Sequence, residues 1–285
     1  MIAVVTGCGG QRLNRETVDV PAHKRPAERD CKATETYDPS DWAWEFLRRN
    51  PDYRTDWRSA VPRRLPHVTL SDGTQMLRLR RRYPRAEQWG LYAFADPLKA
   101  AQEAPVFWLA SANSRLIRAR CAQVDESCDH ASAPLAAFKV SRFAAIGVDG
   151  IPVVTLKGQG THVALELHGL AVLTQPSRLV FELDGLDDLN GQMERLKTLQ
   201  RFTKPQLGSD HRPPFGCDER LHHALIALDE SMAGKSYRQI AIAIYGEKRV
   251  AEEWGGTSQF LKDRARRLVA KGHELMTGGY RDLLA

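Results

Sequence analysis

The chain has 285 residues, 42% hydrophobic and 27% charged, enough for about two domains of roughly 150 residues and unlike the composition of disordered or collagenous chains. Its apolar runs are only a few residues long, short of the roughly 18 that a spanning helix needs, so an integral membrane protein is excluded. Lys and Arg outnumber Asp and Glu by 41 to 35, a mild excess that permits a polyanionic partner without requiring one.

Met1 to Gly10 lacks the basic start, apolar stretch and cleavage site of a signal peptide. The five cysteines, Cys8, Cys31, Cys121, Cys128 and Cys217, are odd in number and scattered, which suits free thiols in a reducing cytoplasm. Residues 1–35 mix Gly, Pro and both charge signs without periodicity and read as a poorly ordered arm. Asp38-Pro39-Ser40-Asp41 is helix-start chemistry. Trp42, Phe46 and Leu47 follow at helical spacing, predicting a short helix to about Arg49 that Asn50-Pro51 stops. Arg78, Arg80 and Arg82 alternate with Leu77, Leu79 and Arg81 as on a half-buried strand. Aromatic-rich stretches at 89–97 and 105–108 complete an N-terminal region over 36–110.

Over 111–204 the pattern changes to short alternating runs, Ile151–Leu156, Thr161–Leu167, Leu170–Leu173 and Arg178–Leu183, separated by Gly- and Pro-containing turns. This predicts a small antiparallel meander. A helix is expected from Asp184 to about Lys204, on the spacing of Leu186, Leu189, Met193, Leu196 and Leu199. Residues 205–215 are a Pro/Gly-rich linker.

The region 216–285 reads as all-helical. Asp218 caps a helix with inner face Leu221, Leu225, Leu228 and Met232, ending at Gly234. Ser236-Tyr237-Arg238-Gln239 is a capping box opening a second helix with stripe Tyr237, Ile240, Ala241 and Ile244. Thr257 or Ser258 caps a third helix running to about Met276. On a 100° wheel Leu261, Ala265, Leu268 and Leu275 of this helix lie opposite Gln259, Lys262, Asp263 and Arg266. The expected class is therefore α+β, with a C-terminal helix-turn-helix variant.

A short capped helix followed by a longer cationic one suits a helix-turn-helix, whose second helix offers Gln, Lys or Arg to base edges in the major groove. Gln259, Lys262 and Arg266 are the expected base readers. Lys248, Arg249, Arg264, Arg267 and Lys271 are the expected phosphate contacts, and Ser236, Tyr237, Arg238 and Ser258 complete the candidate DNA-binding set. The connection Glu247–Gly256 is ten residues against the three or four of a simple motif. Lys248–Trp254 reads as an inserted short helix with Val250 and Trp254 packed inward.

Other candidates are weaker. Cys121 and Cys128, with Asp129-His130, lack the second ligand cluster of a zinc site. Met1 to Gly10 lacks the spacing of a dinucleotide-binding turn. His222-His223 reads as partly exposed rather than catalytic, and the acidic pairs Asp125-Glu126 and Asp187-Asp188 need no catalytic role. Trp42, Trp44, Trp57, Trp89 and Trp108 read as core packing. Arg78, Arg80, Arg81, Arg82 and Arg85 read as a solvated face, with a second nucleic-acid surface as the alternative. No Ser/His/Asp or P-loop pattern is apparent, so neither an enzyme, a cofactor nor a bound metal is expected. A nuclease or recombinase would need a metal or nucleophile cluster that the chain does not display.

Three groups of residues together carry a resemblance: Tyr37 to Pro51; Trp89-Gly90-Leu91 with Pro105-Val106-Phe107-Trp108; and Ser236 to Ala241 through Gly278-Gly279-Tyr280-Arg281. Over about 36–285 the chain resembles bacterial regulators encoded on integrative and conjugative elements, which join an N-terminal domain of unknown function to a C-terminal helix-turn-helix variant. The resemblance implies a transcriptional activator of the frameshift-produced type that switches on an excisionase gene and is held off by a small antiactivator sharing the C-terminal domain. The positions that match are Ser236 to Ala241 and Lys262, Arg264, Arg266 and Arg267. Double-stranded promoter DNA is the expected partner, with an antiactivator, RNA polymerase and a second copy of the chain as further ones. The alternative is a protein-interaction adaptor or antiactivator whose helical domain docks on a related regulator. Steep weakening by salt distinguishes DNA binding from docking.

Overall fold

The computed structural model of the protein describes residues 37–60, 65–122, 135–158, 161–173, 178–183, 185–186, 188–204, 218–254 and 259–285. The expected N-terminal arm, the linker at 205–215, Cys128 and Ser258 lie outside the described residues. No described helix is long and apolar enough to cross a membrane.

Asp38 caps α1 (Pro39–Leu47), accepting from the backbone N–H groups of Ser40 and Asp41, while Asp41 accepts back from the Asp38 N–H. This reciprocal box satisfies donors that a helix start otherwise leaves orphaned. The expectation that Asn50-Pro51 only stops this helix is incomplete. Asn50 Oδ1 accepts from Asp52 N (2.8 Å) and Tyr53 N (3.1 Å), and with Pro51 in the first turn it starts α2 (Pro51–Ser59). Proline suits that position because its missing N–H would be unpaired there anyway.

Of the runs expected to form a small antiparallel meander, Ile151–Leu156 and Thr161–Leu167 pair with each other, whereas Arg178–Leu183 pairs with the strand at Ile117–Ala122, all within a larger mixed sheet. β1 (His67–Thr69), β2 (Gln75–Arg78), β3 (Ile117–Ala122), β4 (Ser141–Ile146), β5 (Pro152–Gly158), β6 (Thr161–His168) and β7 (Arg178–Glu182) lie in the order β1-β2-β4-β5-β6-β3-β7. β4, β5 and β6 form an antiparallel meander. β2 joins β4 and β3 joins β6 in parallel. Two expectations change here. Leu170–Leu173 forms a 3-10 helix rather than a strand. The arginine-rich strand ends at Arg78, although Leu77 and Leu79 stay buried with Arg78 and Arg80 exposed between them, and the single-turn helix α3 (Pro84–Glu87) follows.

The sheet is buried on both faces. Val154, Leu156, Val163, Leu165 and Leu167 pack on one side with Leu199 and Phe202 from the end of α4 (Leu189–Arg201). Leu77, Leu79, Phe107, Ala145 and Val153 pack on the other. The helix expected from Asp184 starts at Leu189, and of its spaced apolar residues only Leu196 and Leu199 join the core. Leu186, Leu189 and Met193 are exposed, so that spacing does not mark the packed face.

A second core unites distant parts of the chain. α1 is buried on every side and packs on Tyr53, Leu91 and Trp108 from its own half, and on Ala224, Leu225, Leu228, Leu275, Met276, Tyr280 and Leu284 from the C-terminal helices. Tyr53 sits edge-on to Trp44 and Trp89, at 5.7 Å from each. Trp42, Trp44 and Trp108 are buried and Trp89 packs against them, whereas Trp57 is half-buried and lies outside this cluster.

Polar contacts lock the same boundary. Arg49 forks onto Asp229 (Nε to Oδ1 2.6 Å, a second nitrogen to Oδ2 2.9 Å) and also reaches Glu45 (2.6 Å). Asn50 Nδ2 donates to the Met276 carbonyl (3.0 Å). Arg49 holds Glu45 in its charged form: burial pushes the carboxyl up, but the Arg49 and Arg48 guanidinium groups leave it below the ordinary value.

Candidate nucleic-acid interface

Four helices make the C-terminal unit: α5 (Glu219–Met232), α6 (Tyr237–Tyr245), α7 (Glu247–Glu253) and α8 (Phe260–Thr277). Asp218 caps α5 with hydrogen bonds to Arg220 N and Leu221 N. Its buried face is Ala224, Leu225, Ala227 and Leu228, and Met232 is 47% exposed. The capping box on α6 forms as the sequence implies, Ser236 and Gln239 each satisfying the other's backbone N–H. Ile240 and Ala241 are buried with Ile244 partly so, while Tyr237 is 41% exposed and belongs to the outer surface, not the stripe.

The long connection resolves into α7. Val250 is fully buried and, with Trp254, joins Ala241, Leu261 and Ala265 in a small core that fixes α6, α7 and α8 together. Gly272 lets α8 cross α5 closely, since a Cβ there would sit 2.7 Å from the Ala224 carbonyl and 2.9 Å from Leu228 Cβ. Gly272→Ala is expected to destabilise the protein, because overpacking against backbone typically costs about 1–3 kcal/mol and helix propensity returns only roughly 0.5–1 kcal/mol. A urea midpoint at or above that of the parent would refute the close crossing.

Against this scaffold the buried side of α8 is Leu261, Ala265, Val269, Gly272, Leu275 and Met276. Lys262, Arg264, Arg266, Arg267 and Lys271 are all exposed, set against Asp263 and Glu274 as the helix's acids. Gln259 occupies the N-cap position without a capping side-chain bond and is exposed. Arg238, Lys248 and Arg249 are exposed on α6 and α7.

The structure brings some of the predicted residues together. Two cations lie over the Tyr245 ring, Arg249 at 5.6 Å and Arg264 at 5.3 Å, and Arg264 also lies 6.0 Å from the Phe260 ring. This cation–π pairing orders both guanidinium groups at the α7–α8 corner. Arg266 pairs with Asp263 (3.2 Å), Lys271 with Glu274 (2.8 Å) and Arg249 with Glu253 (3.0 Å). Such exposed i,i+3 and i,i+4 pairs hold a side chain by only about 0.3–0.5 kcal/mol, which a phosphate or base contact readily exceeds. Phe260, 49% exposed beside these cations, carries no signal in the sequence that separates it from a core aromatic at helical spacing. The N-terminal arginines Arg78, Arg80, Arg81, Arg82 and Arg85 are exposed as well, with Arg82 paired to Glu87 and Arg85 to Asp56.

A second polar cluster was invisible in the sequence because its members lie more than a hundred residues apart. His162, on β6, meets the start of α1: Ser40 Oγ lies 2.6 Å from its Nε2, Asp41 Oδ2 is 3.2 Å from Nδ1, and Asp38 Oδ2 is 3.3 Å from Nε2. Asp38, Asp41 and His162 place ligand atoms within 4.8 Å of one another, a spacing that suits a divalent ion, but those atoms already engage each other and the α1 backbone. Burial pushes the imidazole down, yet Asp38 and Asp41 more than reverse this and hold it charged above its ordinary value. Those carboxylates favour the protonated imidazole, the form that cannot take a proton from Ser40. The N–H groups of Ser40 and Asp41 that would face an oxyanion are spent on Asp38. The cluster is a clamp between α1 and β6 rather than a hydrolytic triad. On α5, burial pushes both His222 and His223 below the usual histidine value.

Two family models match this chain. Residues 185–285 match the family described as "T6SS, Transcription factor, DNA binding domain", and residues 25–92 match "Proteobacterial transcriptional regulator-like domain". No curated protein matches the chain. The chain thus carries a transcriptional regulator-like domain and a DNA-binding domain of T6SS-regulator type, and these are not enzyme families.

Proposed function

We propose that the protein is a cytoplasmic, sequence-specific transcriptional activator that reads promoter DNA with α8. The observation that carries the proposal is the exposed cationic face of α8, held on a capped α6 and the inserted α7. Gln259, Lys262 and Arg266 face the base edges. Lys248, Arg249, Arg264, Arg267 and Lys271 contact phosphates, with Ser236, Tyr237 and Arg238 at the start of α6 bracing the backbone. Phe260 adds an apolar contact of the kind that recognises thymine methyls.

The regulated genes are the excision and transfer functions of an integrative and conjugative element, such as an excisionase gene. The resemblance carried by Tyr37 to Pro51 and Ser236 to Arg281 supports this choice. A small antiactivator, RNA polymerase and a second copy of the chain are the accompanying partners. Promoters of T6SS genes are the competing targets, suggested by the matched family's description.

Footprinting on both promoter classes tests the target. Lys262→Ala or Arg266→Ala is expected to cost about 1–3 kcal/mol on the preferred site. Arg267→Ala or Lys271→Ala should weaken all duplexes alike and reduce the salt slope by about 0.9 per lost phosphate contact. Duplex affinity unchanged in all four variants would transfer the surface to protein docking.

A further inference from the structure

Beside the His162 clamp lies a cavity of about 260 Å³ bounded by the start of α1, the segment before β3, the first residues of β6 and the inner face of α4. Its unusual property is the state of its polar groups. Thr161 Oγ1 is buried and has no hydrogen-bond partner, and the same holds for Arg195 Nε. Thr161 as a whole is 93% buried on its 7% exposure. Arg115 lines the same cavity half-buried, and among the described residues its guanidinium makes no hydrogen bond or ion pair. Buried polar groups are almost always satisfied, so two of them around one opening, beside a half-buried guanidinium without a partner, require an explanation.

The acids nearby do not supply one. Asp38 is committed to the α1 backbone, Ser40 and His162. Glu194 pairs with Lys197 at 2.7 Å, and Asp188 reaches Arg195 through a different nitrogen at 3.1 Å. What remains uncommitted is two guanidinium donors and a hydroxyl, beside the carbon surface of Val163 and Ala164. Burial pushes the Arg115 guanidinium down; Asp38 partly offsets this, and the like charge of Arg195 adds to it. An oxyanion seated between the two arginines relieves both effects and satisfies the donors with charge-assisted bonds.

We infer that this cavity is a binding site for a small organic anion, held at its carboxylate or phosphate by Arg115 and Arg195 and at a further polar atom by Thr161. The volume lies below the roughly 300–1,000 Å³ of drug-sized pockets, which limits the ligand to a short metabolite. This goes beyond the DNA-binding reading, and its test needs no DNA.

Full-length protein is titrated calorimetrically with succinate, glutarate or inorganic phosphate, using matched sodium chloride as the control for ionic strength. Saturable binding of one equivalent per chain is expected in the millimolar range or tighter. Preference for the dicarboxylates or for phosphate identifies the headgroup. Arg115→Gln should weaken binding about tenfold or more while leaving the melting temperature of the free protein close to the parent's, since it removes a charge without opening a core. Thr161→Val should raise the melting temperature of the free protein, because it removes an unsatisfied hydroxyl, while weakening binding several-fold. No saturable heat with any of the three anions, or equal affinity in the parent and Arg115→Gln, overturns the inference.

Discussion

Replacing Arg49 by Ala is expected to lower the unfolding free energy by about 3–5 kcal/mol, the cost of removing one partner from a buried ionic network. The guanidinium is the meeting point of Glu45, which is 2% exposed, and Asp229. Without it, Glu45 keeps Arg48, the Ala101 N–H and Tyr37 but loses its strongest neighbour in a site with little water. The Asp229 arm is 39% exposed at its side chain and contributes the smaller share. At roughly 2–4 °C per kcal/mol for a chain of this size, the melting temperature should fall by about 10 °C. Arg49→Lys should fall between the two, because an ammonium keeps the charge but cannot fork onto a carboxylate. Calorimetric melting of the three proteins checks this, and a loss below about 1 kcal/mol for the alanine variant would mean the network is solvated.

A second large effect is expected from His162→Gln. The variant removes a buried cation that faces Asp38 and Asp41 from β6, with the Lys157 ammonium nearby bonded to the carbonyls of Ala101 and Ala104. The expected loss at neutral pH is again about 3 kcal/mol, together with a change in pH dependence. The folded state holds His162 charged above its unfolded value of about 6.5. Its stabilisation is therefore complete below that pH and is lost as pH rises through the folded value. Asp41 behaves oppositely: burial pushes its carboxyl up, but His162 holds it below its ordinary value, so its contribution is lost as acid protonates it. Urea midpoints from pH 6 to 9 should decline in the parent and stay flatter in His162→Gln. Parallel curves would show that the imidazole is not charged in the folded protein.

Local chemistry was the readable part of this sequence. The caps at Asp38, Asp218 and Ser236 each involve residues within three positions of one another, and each formed as the spacing implied. Val250 and Trp254 in the inserted helix were recognisable for the same reason. What a single sequence hides is pairing at distance. Nothing near Gln75–Arg78 or Ile117–Arg120 indicates that these segments lie parallel to Phe143–Ile146 and Leu165–His168, and these two pairings turn a meander into part of a mixed sheet. Asn50-Pro51 was ambiguous in kind, since the residues that end one helix also start another. Leu186, Leu189 and Met193 followed helical spacing yet face water, because spacing records a face without recording what covers it. Of the candidate interface, the exposure of Gln259, Lys262 and Arg266 agrees with the wheel. The ordering of Arg249 and Arg264 by Tyr245 required three helices to be in place.

The core shared by α1 and the C-terminal helices limits how such a regulator can be cut or recombined. A fragment of residues 216–285 would leave Leu225, Leu275, Met276 and Leu284 without the aromatic wall that covers them. It should self-associate or melt rather than serve as a portable DNA-binding cassette. Grafting it onto a foreign sensor would demand a matching counterpart for Trp44, Phe46 and Arg49, so the two sides of this core are bound to drift in step, each substitution on one side judged against its neighbour on the other.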